Sequence, residues 1–380
     1  MDKRIALRDF SLLIALVLVG LYFFAQDPRF LSARNLSQLG IELSATAVLS
    51  LGMLLIILPG HIDLSVGSGL GLAGGVAAVL IFKSGWAALP AMFVTLLLSV
   101  LVYTAMGWVI VRQRVPAFII TLGGLLVFKG VHWLVISSET VPVVLGGGEN
   151  LYSMLTTFYL PEAVGFAVGL CAIGLLGAFM LRGHRRRLAR GFSSDGELVF
   201  LRWLVAGQIV GLFVLVMNQY KGVPLAALVL GVVAVLVHVL LQQTRFGRYL
   251  YAIGGNEEAA VIAGVPVSRV VIGAFAAIGF VVALAGYLQT AFAGATTTTT
   301  GQLMELDAIA ACVIGGTSLK GGQGTVVGVL FGALIMAALL NGMTLLAVSP
   351  ENRFIARGLV LALAVWMDVR LSAQGRTRLA

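Results

Sequence analysis

A chain of 380 residues with 59% hydrophobic and 11% charged side chains and a mean hydropathy of +1.03 lies outside the range of soluble domains and belongs in a bilayer. Its net charge of +9 is carried by basic residues that apolar stretches keep apart, so no continuous phosphate-binding surface exists and nucleic acid is excluded as a partner. Cys171 and Cys312 both fall in apolar stretches, where a thiol behaves as a small hydrophobe, and point to neither a disulfide nor a metal site.

Lys3, Arg4 and Arg8 precede an apolar run from Phe10 to Ala25 with no small-x-small cleavage site, which predicts an uncleaved first helix. At about 20 apolar residues per crossing, spans are predicted near 9–26, 41–59, 65–82, 87–111, 117–136, 160–181, 202–218, 222–241, 270–292, 304–319, 325–347 and 353–369. The predicted fold class is an all-α polytopic membrane protein of about 12 transmembrane helices, with a single transmembrane domain over 1–380. Basic residues gather before the first span, at Arg112 and Arg114, in a basic loop at 182–201, in a polar stretch at 242–269, at Lys320 and in the tail. The bias of such residues toward the cytoplasm puts both termini there.

The apolar pattern breaks first at a polar elbow near 60–67, where Asp63 stands just before a helix restarts; N-capping is its expected role, with ligand contact the alternative. Beyond it Gly67, Gly71 and Gly75 recur every four residues and form a flat ridge suited to close helix packing. The basic 182–201 loop, with Arg185, Arg186 and Arg187, reads as a stop signal for translocation, with anionic-lipid contact the sharper alternative.

The 242–269 stretch is cytoplasmic in this reading and holds a short helix with both ends marked. Asn256 is its N-cap, Glu257 and Glu258 sit at the positive end of its dipole, Gly264 suits a left-handed C-terminal turn, and Pro266 blocks continuation. Ala259, Ala260 and Ala263 leave a small-residue surface for close docking. Two turns of helix do not persist alone in water, so another protein is expected to hold this one. The five threonines at 296–300 then read as a stiff, extended, outward connector, with sugar contact the lesser alternative. The segment 304–324 is expected to be broken or re-entrant, and Gly324, Gly328 and Gly332 repeat the four-residue glycine ridge after it.

Gly69, Gly71 and Gly74 match the letter of a dinucleotide fingerprint, but they lie in an apolar span with no strand before them. No phosphate-cradling loop occurs: 315–320 lacks both the glycine before its lysine and the hydroxyl after it, so this chain is not expected to hydrolyse ATP. His61, His132, His184 and His238 have no ligand spacing, and no metal site is expected. Glu42, Lys129, Glu305 and Asp307 fall at membrane depth, where a charge costs at least ~2–3 kcal/mol, so each must face protein or water. Asp63, Thr121, Glu305, Asp307 and Asn341 are the candidates for a translocation pathway, while Lys129 and Glu305 read equally well as an interhelical pair.

Three segments coincide in order: Pro-Gly-His-Ile-Asp-Leu-Ser-Val-Gly-Ser at 59–68, Val-Pro-Ala-Phe-Ile-Ile-Thr-Leu-Gly at 115–123, and the capped stretch followed by Glu-Leu-Asp-Ala-Ile-Ala-Ala at 305–311 and Gly-Gly-Thr-Ser-Leu-Lys-Gly-Gly at 315–322. Over about 40–369 the chain resembles the membrane permease subunits of bacterial ABC importers for monosaccharides, of the ribose and xylose type. Two extra spans around 160–220 look like the xylose-permease branch, whereas His61 stands where many relatives have a smaller or apolar residue.

The resemblance implies a homodimeric permease of the inner membrane that binds no cofactor itself. ATP and Mg would belong to a partner cytosolic ABC ATPase, and a periplasmic sugar-binding protein would deliver substrate. It also assigns the 256–264 helix to the coupling helix that sits in a groove of the ATPase, with Glu257, Glu258, Ala259 and Ala260 matching its acidic-alanine motif. The implied activity is alternating-access import of a monosaccharide, a pentose such as xylose. Ribose, galactose or a branched-chain amino acid are the alternatives within ABC permeases, and an ion-gradient-driven secondary transporter is the alternative from another class.

Overall fold

A computed structural model describes the backbone of residues 3–144, 148–189, 191, 193 and 195–376, and the side chains of those residues from 12 to 366. The described residues are mostly helical. In chain order the helices are α1 Lys3–Gln26, α2 Ala33–Ile57, α3 Val66–Phe82, α4 Ala88–Gln113, α5 Ala117–Ile136, α6 Leu151–Thr157, α7 Glu162–Ala189, α8 Gly196–Asn218, α9 Leu225–Gln243, α10 Arg245–Gly255, α11 Glu257–Ile262, α12 Val267–Ala293, α13 Met304–Ile314, α14 Val326–Leu345 and α15 Pro350–Arg376. Four two-residue strands accompany them: β1 Val141–Pro142, β2 Tyr159–Leu160, β3 Val223–Pro224 and β4 Ala295–Thr296.

Eight helices, α2, α4, α5, α7, α8, α9, α12 and α14, are long and apolar enough to cross a membrane by length and composition. Residues 12–26 of α1 and the whole of α3 are apolar but shorter. The expected span at 304–319 is interrupted: α13 has 11 residues, roughly 16 Å of helix against a hydrocarbon core of about 30 Å. Its end is set locally, since Gly315 and Thr317 turn their amides back to Ala311 and Cys312, and Gly316 takes φ +81°.

The core forms around α2, whose apolar stretch is almost wholly buried and is therefore surrounded by protein rather than lipid. α12 packs along α2, α3 and α4, and α13 and α14 close the far side of α2. The α13 contact is made backbone to backbone: a Cβ on Gly332 would meet the Ala311 carbonyl, and one on Gly328 the Gly315 carbonyl. α7 and α8 instead pack chiefly on each other, with Trp203 Nε1 donating to the Ile173 carbonyl at 3.0 Å, and leave most of their apolar surface outward.

Three expectations change. Where a basic loop is expected at 182–201, α7 runs through Ala189, so Arg182, Arg185, Arg186 and Arg187 ride on its last turns. Arginine, leucine and alanine are strong helix formers, and cations suit a helix C-terminus. The 242–269 stretch is two helices, α10 and α11, rather than a loop around one. The threonine run is not extended beyond Thr296: residues 298–303 form turns, held by Thr297 N donating to Thr300 Oγ1 at 2.8 Å. Threonine hydroxyls satisfy nearby backbone groups, and that local bonding outweighs the stiffness of β-branching.

The two ends of the bundle are distinct. At one, the 58–60, 244–266 and 315–325 segments meet, with Gly322 N donating to the Leu58 carbonyl at 2.8 Å and Tyr251 Oη to the Gly324 carbonyl at 2.8 Å. At the other, Lys83 pairs with Glu139 at 2.7 Å and β1 pairs antiparallel with β4. Strands β2 and β3 pair in the same sense.

Candidate functional site

The site is built from a helical bracket at the first end and an open cavity on the side of the bundle, joined by the elbow. Thr244 starts α10 by accepting a hydrogen bond from Gly247 N at 3.2 Å, and the tight turn out of α9 leaves no room for a Cβ on Gly247 against the Leu241 carbonyl. α10 buries Leu250 and Ile253 against the bundle. A Cβ on Gly254 would run into the Leu58 carbonyl and Gly322 N, so the helix touches elbow and loop through main chain.

α11 follows without a gap. Asn256 Oδ1 accepts from Ala259 N at 2.8 Å, and Gly264 takes φ +78° beyond the last turn. Glu257 and Glu258 are exposed in the first turn. Ala260 is 4% exposed and faces the chain's own body, not an outward docking face. Ala259 and Ala263 are exposed, and the large apolar residues turned outward beside them are Val261, 56% exposed, and Ile262, 87% exposed, which residue size and spacing alone did not single out. His61 lies near this bracket. Burial holds its imidazole below the ordinary value, with the Glu257 carboxylate pulling it back up.

From Leu58 the elbow returns into the bundle. Asp63 is fully buried, and its Oδ1 accepts from Ser65 N at 2.7 Å and from Ser65 Oγ at 2.6 Å. Ser65, not Asp63, is the N-cap residue of α3, so Asp63 shapes the turn that precedes the helix. Tyr103 on α4 donates to the Ser65 carbonyl at 3.2 Å, and Thr121 on α5 donates to the Ile62 carbonyl at 3.3 Å. Among the described residues, Asp63 Oδ2 has no hydrogen-bond partner.

The glycine ridge of α3 faces the 294–303 connector together with the start of α13 and His132 of α5. A Cβ on Gly67 would meet the Glu305 carboxylate and the Gly301 carbonyl, one on Gly71 the Thr300 carbonyl, and one on Gly75 the His132 ring and Thr296. The connector thus lies along α3 and delivers α13 beside the first turn of α3. Gly301 and Leu303 both take positive φ there, +81° and +64°, an uncommon conformation for leucine. His132 Nε2 and Thr296 Oγ1 lie 3.0 Å apart, and Trp133 Nε1 donates to the Thr298 carbonyl at 3.0 Å, pinning the connector to α5.

A cavity of about 170 Å³ opens between α3, α5 and the connector, with Ser68, Lys129, His132, Thr300, Gln302 and Glu305 on its walls. Asp307 does not join it. It pairs with Arg357 of α15 at 3.5 Å. Asn341 also lies apart, donating to Glu42 Oε2 at 3.4 Å and accepting from Asn35 Nδ2 at 2.8 Å. The five pathway candidates therefore separate into Asp63 and Thr121 at the elbow, Glu305 at the cavity, and Asp307 and Asn341 in helix contacts. Gly324 lies against Leu54 and Thr317.

The family described as "Branched-chain amino acid transport system / permease component" matches residues 35–365, which takes in the elbow, the bracket and the cavity. The chain belongs to this permease family. The permease is 40% identical over 370 residues to the "Xylose transport system permease protein XylH" of Escherichia coli (strain K12), covering 96% of this chain and 93% of that one. Against the protein of the same description from Haemophilus influenzae the identity is 38%, over 96% and 97% of the two chains. The "Ribose import permease protein RbsC" of Escherichia coli (strain K12) is 33% identical over 94% and 92%. No solved structure matches the permease. The resemblance drawn from the short segments is thus a relationship along nearly the whole chain, and the permease is a multi-pass protein of the inner membrane.

Proposed function

We propose that this chain is the membrane subunit of an ATP-driven importer for a pentose, xylose in the first instance, working by alternating access as a homodimer. A separate cytosolic ABC ATPase hydrolyses ATP with Mg, and a periplasmic sugar-binding protein delivers the sugar. The chain crosses the membrane twelve times with both termini in the cytoplasm, counting α13 with the connector before it and the loop after it as one interrupted crossing. The observation that carries the substrate is the 40% identity to a xylose permease over 96% of the chain.

The coupling role rests on α11. Capped at both ends, it directly follows α10, whose Gly254 lies against the elbow main chain, and offers Val261 and Ile262 to a partner. ATP-driven movement of that partner would pass from α11 through Gly254 and Leu58 to the elbow, and on to the first turn of α3. Packed main-chain contacts transmit such displacement because they have little room to yield.

The test is reconstitution with an ABC ATPase and a sugar-binding protein of a xylose importer, followed by radiolabelled xylose uptake into liposomes. Uptake that needs ATP and all three proteins is expected. Uptake driven by a proton gradient with this chain alone would instead establish a secondary transporter.

A further inference from the structure

Lys129 and Glu305 share the walls of the cavity, yet Lys129 makes none of the ion pairs within 4.0 Å among the described residues. Its ammonium lies 5.4 Å from the centre of the Trp133 ring. Lys129 is exposed, so water can solvate its ammonium, whereas Glu305 is only 7% exposed and its carboxylate needs polar neighbours. The cavity they line carries further polar groups, Ser68, Thr300 and Gln302, beside the apolar Leu125 and Leu303.

Gly67 is what lets the acid sit there, because a Cβ at that position would occupy the space of the Glu305 carboxylate. The fold thus sets the acid into the cavity wall, while Lys129 stands exposed on the same cavity. We infer that this cavity is a sugar subsite, in which Glu305 accepts and Lys129 donates hydrogen bonds to the hydroxyls of one neutral monosaccharide. The inference rests on the transport function proposed above and adds where in the chain the sugar is held.

The chemistry favours an uncharged, hydroxyl-rich guest. Each sugar hydroxyl both donates and accepts, and the wall supplies an acceptor-only carboxylate, a donor-only ammonium and two hydroxyls that do either. The formal charges of Lys129 and Glu305 cancel, so a neutral guest leaves the balance intact. An anionic or cationic guest would pair with one and leave the other stranded, which disfavours it.

The experiment uses the complete importer in liposomes. Lys129→Gln and Glu305→Gln are each expected to lower xylose uptake about tenfold. A second measurement does not depend on tolerance of those changes: Ser68→Cys in a Cys171→Ser background is labelled with a small thiol reagent during turnover. Xylose is expected to slow that labelling, and the acid xylonate to leave it unchanged. Uptake by both glutamine variants equal to that of the unsubstituted chain, or labelling indifferent to xylose, overturns the subsite and leaves the transport function standing. Absence of ATP-driven xylose uptake by the unsubstituted chain overturns the transport reading, and the subsite with it.

Discussion

Gly254 of α10 rests directly on the main-chain carbonyl of Leu58, with Gly322 N beside it, whereas the next residue, Gly255, has open space where a side chain would stand. Neighbouring glycines therefore differ in consequence. Gly254→Ala is expected to cost roughly 1–3 kcal/mol, since backbone cannot move aside as a flexible side chain can. Gly255→Ala is expected to be close to neutral. Thermal unfolding in detergent, together with uptake, distinguishes them; equal effects would show that the contact with Leu58 carries no strain.

Ile262 is almost wholly exposed on a helix that Asn256 and Gly264 cap at both ends. Ile262→Asp is expected to leave the apparent Tm within a degree or two while weakening co-purification of the ATPase, because only an outward contact changes. Asn256→Ala is expected to cost about 1 kcal/mol of local helix stability through loss of the cap. Gly264→Val should cost about 1–3 kcal/mol at φ +78°. A pull-down in which Ile262→Asp retains full ATPase association would remove the coupling role from this face.

Asp307 and Arg357 tie α13 to α15 with an ion pair at 3.5 Å, the carboxylate side chain 4% and the guanidinium side chain 25% exposed. Removing either charge alone leaves the other stranded among helices, at a cost of about 3–5 kcal/mol. The double substitution Asp307→Asn with Arg357→Gln is expected to be milder than the two single changes summed, and a double-mutant cycle on thermal unfolding measures the difference. Strict additivity would mean that the two groups do not interact.

His61 titrates outside the membrane-spanning helices, and burial holds its imidazole below the ordinary 6.5. Between the folded and unfolded values the unfolded chain binds more protons, so stability falls as pH drops through about 6.5 and is fully present above it. The apparent Tm should decline on acidification from pH ~7 to ~5, and His61→Asn should flatten part of that decline. An unchanged slope in the variant would assign the pH dependence to other groups.

The caps of α11 were readable from a few consecutive residues, because Asn256 meets Ala259 and Gly264 closes the same short helix. The connector was not. Thr296 to Thr300 suit an extended strand by side-chain shape, and they turn because hydroxyl bonds and the α3 glycine face are both available. Asp63 was placed correctly at a helix restart but two residues too early for the cap, since its hydrogen bonds go to Ser65 and the helix begins after Ser65.

Composition and spacing by themselves determined that the chain is a helical membrane protein, where its polar breaks fall, and which short helix is capped, because hydropathy and capping act over one to twenty neighbouring residues. Only the tertiary structure decided that Gly67 makes room for Glu305, that Lys129 faces the same cavity without pairing, and that Asp307 turns to Arg357 instead. Those relationships join residues tens to hundreds of positions apart. Helical periodicity says which face a residue occupies, but only packing decides what that face meets.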